Sequence, residues 1–137
     1  MDIKILDTNL DVNASIKWAS DIGPGCVNMF IGKVRPTASD RKVHYLDFEA
    51  YAKMAVQEME QIATSASKKW DTDKILVHHR TGRVYAGDIP VLIIVSARHR
   101  KDAIEACRYI IDTLKSTVPI WKKEVYTNGE SWVTAHP

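Results

Sequence analysis

The chain has 137 residues, of which 45% are hydrophobic and 26% are charged, and its formal net charge is +2. This composition excludes extended disorder, and the length predicts one domain, spanning residues 1–137, around a single core. The small net charge does not suit a general nucleic-acid binder, so an affinity for anions must come from local clusters of cations.

The sequence also bears on location and on metal or thiol chemistry. No apolar run approaches the roughly 20 residues that cross a bilayer, and "MDIKILDTNLDV" has too many acids for a signal or transit peptide. We therefore expect a cytoplasmic protein that does not bind membranes. Cys26 and Cys107 are far apart and lack metal-ligand spacing, so we expect them to pack as small apolar residues.

The first third of the chain predicts a short helix and then two strands. "DVNASIKWASD", residues 11–21, offers Asp11 or Asn13 as the helix cap. "CVNMFIGKV", residues 26–34, is rich in β-forming residues, and "VHYLDFEAY" alternates as a strand from residue 43. The polar segment "PTASDRK" between them reads as a loop. Together these segments predict a β-hairpin with a long connection.

The middle of the chain predicts two long helices that flank two strands. Residues 50–69 and residues 100–115 both place apolar side chains at helical spacing. The apolar stripe of the first comprises Tyr51, Ala55, Met59, Ile62, Ala66 and Trp70, and that of the second Ala103, Ile104, Cys107, Ile111 and Leu114. Between the helices, "KILVHH" and "IPVLIIVSA" read as strands on either side of "TGRVYAGD", and the second is apolar enough to be central.

The C-terminal segment "PIWKKEVYTNGESWVTAHP" predicts a strand, a turn at Asn128 and Gly129, and a final strand. Strands interleaved with two long helices are typical of an α+β fold. We predict a hammerhead-like sandwich in which the two long helices cover one face of a mostly antiparallel sheet.

Two lysines stand close to this predicted core. Lys115 follows Ile111 by four residues, so on a helix its stem continues the buried stripe. Pro119 turns the chain back and brings Lys122 toward the end of that helix. Neighbouring ammonium groups on an apolar wall lower each other's pKa and attract anions, so they can stabilise an oxyanion or transfer a proton. The simpler alternative is a snorkelling stem, or a cation that favours the helix C-terminus.

A second cationic cluster lies in "SARHRKD", residues 96–102, where a buried strand leads into a helix. Backbone N–H groups there favour anions, and His99 and Arg100 add a titratable donor and a fork-shaped cation. The alternative is a solvated loop. Arg35, in "GKVR", follows another strand and can bring a third cation.

The segment "VHHRTGRV" contains His78 and His79, but neighbouring strand residues point to opposite faces. The pair is therefore poorly placed to share a metal ion, and we expect one of them to be a hydrogen-bonded core histidine. The sequence contains neither a Ser-His-Asp order nor a Walker-type glycine loop.

Several segments, in order over residues 25–134, resemble the large, catalytic subunit of molybdopterin synthase. They are "FIGKVR", "LDFEAYAKMA", "HHRTGRVYAGD", "SARHRKDAIEA", "IDTLKSTVPIWKKE" and "GESWV". The resemblance implies a step of molybdenum cofactor biosynthesis in which two sulfurs are added to cyclic pyranopterin monophosphate, forming the dithiolene of molybdopterin. It implies no metal and no organic cofactor, because the pterin is the substrate.

The resemblance also implies partners and site residues. The sulfur donor is a thiocarboxylate on the C-terminal Gly-Gly tail of a small ubiquitin-like subunit, and the large subunit forms a homodimer within a heterotetramer. The family's active-site lysines fall on Lys115 and Lys122, and its anion-binding residues on Arg35, His99 and Arg100. A further basic residue that the family often supplies across the dimer appears here as His136.

Two alternatives to the enzyme remain open from the sequence. One is a non-catalytic module that binds anions or RNA with the same basic pocket, which the near-neutral charge and the lack of RNA-module aromatics disfavour. The other is a subunit that docks the partner without catalysis, which the presence of both Lys115 and Lys122 disfavours.

Overall fold

The computed structural model describes residues 1–134 of the protein, and within them it contains three helices and nine strands. The helices are α1 (Val12–Ala19), α2 (Ala52–Lys69) and α3 (Arg100–Thr117). The strands are β1 (Asp2–Leu6), β2 (Cys26–Gly32), β3 (Thr37–Ala38), β4 (Arg41–Ala50), β5 (Thr72–Arg80), β6 (Gly82–Tyr85), β7 (Val91–Ala97), β8 (Ile120–Tyr126) and β9 (Ser131–Thr134). The predicted helices and the predicted C-terminal pair of strands are thereby confirmed.

The first sheet has the strand order β1-β5-β7-β2. β1 and β5 run parallel, whereas β5 with β7 and β7 with β2 are antiparallel. Every residue of β7 is buried, because this apolar strand lies between two neighbours and is covered on both faces. The prediction of a central strand here is confirmed.

Helices cover both faces of this sheet. The long helices α2 and α3 pack on one face, and their apolar stripes join the main core. The shorter α1 covers the other face, where a second cluster forms around Leu76, Leu92 and Ile94. Asp11 caps α1, since its side chain accepts a hydrogen bond from the backbone N–H of Ala14 at 3.0 Å. None of the helices within residues 1–134 has the length and apolar character that spanning a membrane demands.

The second sheet has the order β3-β4-β8-β9, and β6 also pairs with β4. The predicted hairpin between β2 and β4 is therefore wrong: β2 pairs with β7 in the first sheet, and β4 pairs with β8 in the second. Alternation along a strand specifies which face is buried but leaves its partner open. The "PTASDRK" loop also contains the short strand β3, and its turn places Ser39 and Asp40 at positive φ.

Two residues of the predicted helical stripes lie outside the core. Ile104 is 50% exposed, because α3 buries Ala103, Ala106 and Cys107 instead and Ile104 falls beyond the edge of that stripe. Tyr51 precedes the first turn of α2 and is 65% exposed. The remaining members of both stripes pack as predicted.

The start of β2 lies unusually close to the corner that leads from β7 to α3. A Cβ added at Gly25 would stand 2.2 Å from the carbonyl oxygen of Arg98. In the Gly25→Ala variant the backbone at one of these two residues must therefore shift. We expect this change to lower the free energy of unfolding by about 1–3 kcal/mol, as measured by urea denaturation. Gly23→Ala is the matched control, since nothing lies within 4 Å of its added Cβ. Equal stability of the two variants would contradict the expectation.

Candidate active site

A pocket of about 340 Å³ lies between the end of β2, the last turn of α3 and the inner face of β8. This volume is within the range of small-molecule sites. The cations that line it are Lys33, Arg35, Lys115 and Lys122. The apolar side chains that line it are Phe30, Ile31, Val34, Ala38, Val43 and Leu46. The pocket therefore combines apolar walls with a concentration of positive charge.

Local chain geometry brings the two predicted lysines into this pocket. α3 ends at Thr117, where the N–H of Val118 donates to the carbonyl of Leu114 at 3.2 Å, and Pro119 prevents a further helical turn. The chain then reverses into β8. Lys122 lies opposite the buried Phe48 of β4 and points inward with it, whereas Lys123 points to the outer face of the sheet.

Lys122 sits in a partly desolvated position. Its side chain is 22% exposed, and its Nζ lies 3.8 Å from Oε1 of Glu124. Burial lowers the pKa of Lys122, the Glu124 carboxylate opposes this shift, and the charges of Lys115 and Arg35 lower the pKa further. Lys122 therefore releases a proton more readily than an exposed lysine.

Lys115 is more exposed than its position on the apolar stripe predicts. The exposed side chain lines the pocket instead of lying in the core. Its charge nevertheless lowers the pKa values of Lys122 and His79. Lys115, Lys122 and Arg35 thus act on one another across a single pocket.

His79 is a buried neighbour of these cations. His79 is 1% exposed, and its Nδ1 donates a hydrogen bond to the carbonyl of Arg80 at 2.9 Å. The imidazole ring packs edge-on against the ring of Phe48, with 5.1 Å between the ring centroids. Burial lowers the pKa of His79 to about 4; the hydrogen bond to the Arg80 carbonyl opposes this shift, and the charge of Lys115 adds a smaller lowering. His79 is therefore neutral near pH 7.

His78 is also a core histidine. Its Nε2 donates to Oδ2 of Asp2 at 3.1 Å, and burial lowers its pKa although Asp2 opposes the shift. The prediction of one core histidine thus extends to both. Across residues 1–134 no cluster of three or more His, Cys, Asp or Glu residues could hold a metal ion.

The other two predicted anion-binding residues lie far from this pocket. His99 and Arg100 are exposed at the N-terminal end of α3, where β7 leads into the helix as predicted. Lys115 follows Arg100 by fifteen positions, which corresponds to about 22 Å along the helix axis. One protomer therefore does not bring all five predicted residues together. His136 lies outside the described residues.

Sequence reasoning missed Glu124, the acidic residue of the pocket. Glu124 lies on the inner face of β8 with Lys122, and its side chain is 16% exposed. Its Oε2 accepts a hydrogen bond from the Tyr126 hydroxyl at 2.6 Å, which raises the pKa of that phenol. The spacing of two residues from Lys122 is the signal that could have found it, because a strand places such residues on one face.

The cysteines pack as predicted. Cys107 is 2% exposed on α3, and burial raises its pKa, although the side chain of Asn28 opposes the shift. This contact also accounts for a polar residue in the middle of β2. Cys26 is half-buried, and its Sγ lies 3.6 Å from the carbonyl oxygen of Ala97.

A family model and individual relatives of known name both place the chain in the same protein family. Residues 5–117 match the family described as MoaE protein. The molybdopterin synthase catalytic subunit of Arabidopsis thaliana is 45% identical over 132 residues, covering 95% of this chain and 67% of that protein. The subunit of the same name from Pyrococcus abyssi is 39% identical over 125 residues, covering 91% and 84%.

Solved structures show the same fold. Molybdopterin synthase from Staphylococcus aureus superposes with a TM-score of 0.91 at 36% identity, covering 98% of this chain and 97% of that one. A complex of subunits 1 and 2 of the molybdopterin-converting factor of Helicobacter pylori gives a TM-score of 0.80 at 24% identity, covering 98% and 92%.

Proposed function

Because the chain belongs to the MoaE protein family of molybdopterin synthase catalytic subunits, we propose that it transfers sulfur to cyclic pyranopterin monophosphate. The sulfur comes from the C-terminal thiocarboxylate of a small ubiquitin-like partner, and the product carries the dithiolene of molybdopterin. The observation that carries this proposal is the pocket in which Lys115, Lys122 and Arg35 surround a space with apolar walls.

The chemistry of the pocket suits both reactants. The thiocarboxylate and the substrate phosphate are anions, and lysine and arginine are the side chains that bind such groups most strongly. The apolar residues on the wall accommodate a narrow, uncharged Gly-Gly tail. Partial burial also strengthens the attraction between the pocket's cations and an entering anion, because less water screens the charges.

Two chemical steps need help from these cations. The thiocarboxylate sulfur first bonds to a substrate carbon while a C–O bond of that carbon breaks, and the displaced oxygen leaves as water or stays on the phosphate. Water then cleaves the resulting thioester, which leaves a thiol on the substrate and a carboxylate on the tail. An oxyanion develops on the tail carbonyl during that cleavage. In our proposal Lys115 stabilises the oxyanion or transfers a proton, and Lys122 holds the tail or the substrate. The two lysines could exchange these roles.

The proposed partner is a separate small subunit. The related molybdopterin-converting factor of Helicobacter pylori is a complex of subunits 1 and 2, and we extend this arrangement to the present chain. The tail would enter the pocket beside the exposed Lys115. The complete assembly would be a heterotetramer, with a small subunit bound to each protomer of a central homodimer.

The homodimer also accounts for the distant cations in this proposal. His99 and Arg100 are about 22 Å from Lys115 on the same helix, too far for one small substrate to contact both ends. We propose that these two residues serve the pocket of the neighbouring protomer. The outer face of the second sheet carries Trp121 and the exposed Val133 beside the exposed Tyr51. These apolar side chains lie among the charged Asp47, Glu49 and Lys123, and such a mixed surface suits a protein interface.

Mixed dimers test this arrangement. Lys115→Ala and Arg100→Ala homodimers should each lose activity, and mixing them should restore it, because one site of each mixed dimer is intact. Random exchange makes half of the dimers mixed, so about a quarter of all sites recover. Mixing Lys115→Ala with Lys122→Ala is the control: these residues share a pocket, so no intact site forms. Equal recovery in both mixtures would contradict the assignment of Arg100 to the neighbour.

The reaction itself is tested by a single-turnover assay with a thiocarboxylated small subunit and cyclic pyranopterin monophosphate. We expect dithiolene formation that depends on this chain. If the chain binds the small subunit but forms no dithiolene, the proposed chemistry fails and a docking role without catalysis replaces it.

A further inference from the structure

Glu124 is an unusual residue for a pocket that binds anions. It lines the pocket with Lys115, Lys122 and Arg35, and among the lining residues it is the single carboxylate. A carboxylate repels both a phosphate and a thiocarboxylate, so its presence reduces affinity for either. Its contribution to substrate binding must therefore involve a part of the substrate that donates hydrogen bonds.

The hydrogen bonds of Glu124 leave acceptor capacity unused. Oε2 accepts from the Tyr126 hydroxyl at 2.6 Å, but Oε1 lies 3.8 Å from Nζ of Lys122, which is too long for a hydrogen bond. Among residues 1–134, Oε1 has no hydrogen-bond donor within range. A carboxylate offers about four lone pairs, so Glu124 can accept two further hydrogen bonds from a ligand.

A second cavity adjoins the pocket at Glu124. This cavity of about 440 Å³ is lined by Glu124, Tyr126, Trp132 and other residues of the second sheet. Trp132 is the direct partner of Glu124 in the β8–β9 register, so both side chains project from the same face. The indole is 65% exposed. A flat aromatic surface thus lies beside a carboxylate with free acceptor positions.

These features match one end of a pterin. Its pyrimidinone edge presents the ring N3–H and the 2-amino group as two parallel donors, and a carboxylate can accept from both at once. We propose that Glu124 binds the 2-amino-4-oxo edge of the substrate's pterin and that Trp132 stacks on its rings. This inference rests on the proposed function, because the pterin is the substrate that it assigns.

The spacing along β8 is consistent with such a pose. Lys122 and Glu124 are two residues apart, which separates their Cα atoms by about 7 Å on a strand. A fused bicyclic ring bound at Glu124 extends over a similar length toward Lys122. The anionic end of the substrate would then lie among the cations, and the pterin edge would lie at the carboxylate. In this role Glu124 positions the substrate and sets specificity.

The test compares two ligands that differ in the 2-substituent and, with it, in the proton on N1. Pterin-6-carboxylate carries the 2-amino group, and lumazine-6-carboxylate carries an oxo group there, which presents an acceptor to Glu124 instead of a donor. Fluorescence titration of the protein should show tighter binding of the pterin acid by at least about tenfold. Glu124→Gln should reduce this preference to less than about threefold, because a neutral amide cannot accept both hydrogen bonds.

Three further variants separate recognition from structure. Tyr126→Phe removes the internal hydrogen bond of Glu124 but keeps the carboxylate, so the preference should persist. Trp132→Ala should weaken both ligands equally, since stacking does not depend on the 2-substituent. Glu60→Gln, on an exposed part of α2, should change neither affinity.

Equal affinity of wild-type protein for the two acids, or no measurable binding of either, overturns the inference. So does an undiminished preference in Glu124→Gln. These binding measurements need neither the small subunit nor turnover, so they fail independently of the sulfur-transfer assay. Normal dithiolene formation without ligand preference would reject the role of Glu124 alone. A clear preference without dithiolene formation would reject the proposed reaction.

Discussion

Lys115→Ala should reduce single-turnover dithiolene formation by about a hundredfold to a thousandfold, the usual loss when one preorganised stabiliser of an oxyanion is removed. Lys115 is exposed and lines the pocket that the thiocarboxylate tail would enter. Its alanine variant keeps the fold, because the exposed side chain contributes little to the core. The measurement is the yield of dithiolene at saturating small subunit and substrate.

Two comparisons make this result specific. Lys17→Ala removes an exposed lysine from α1, on the opposite side of the first sheet, and should retain full activity. Lys115→Met keeps most of the aliphatic stem and should be as inactive as the alanine variant if the charge is what matters. Binding of the small subunit should be measured in parallel. Activity within threefold of wild type in Lys115→Ala would remove Lys115 from the chemistry.

The folded protein should lose stability as the pH falls from about 6.5 to about 4, with His79 as a main cause. Its pKa is lowered to about 4 in the folded protein from an ordinary value of 6.5. Above pH 6.5 the ring is neutral in both states, so its effect on stability is constant. Between these values the unfolded chain binds a proton that the folded protein excludes, which destabilises the fold by about 3 kcal/mol in total.

Urea denaturation at several pH values measures this loss, and His79→Phe should flatten the slope of unfolding free energy against pH. The phenylalanine ring keeps the contact with Phe48 but cannot bind a proton. His78 also has a lowered pKa and contributes loss of the same sign, so some slope should remain. His44→Gln, which replaces an exposed histidine, is the control. An identical slope in wild type and His79→Phe would show that His79 does not cause the acid sensitivity.

Much of the fold could be predicted because its signals are local. The stripe that includes Met59 and Ile62 defines α2, and the uninterrupted apolar run of β7 predicts its central position. The partners of β2 and β4 could not be predicted in this way. Their alternation is satisfied equally by a hairpin or by two different sheets, and the choice depends on packing among residues distant in the chain.

The candidate site was partly predictable for the same reason. A helix end, a proline and strand alternation suffice to bring Lys115 and Lys122 near one pocket. The exposure of Lys115 depends on what packs against the last turn of α3, which periodicity does not reveal. Glu124 carries no signal of its own, since its importance arises from its place beside Lys122 and from the hydrogen bond of Tyr126.

The inward and outward alternation of β8 makes the site sensitive to length as well as to residue type. Ile120 anchors the strand in the core, and the next two inward positions are Lys122 and Glu124. Deleting or inserting one residue just after Ile120 would turn both charged groups to the opposite face of the sheet and bring Val125 or Lys123 inward. Related sequences should therefore tolerate insertions and deletions in this short segment far less than substitutions at Lys123. The side chain of Lys123 already lies outside the pocket.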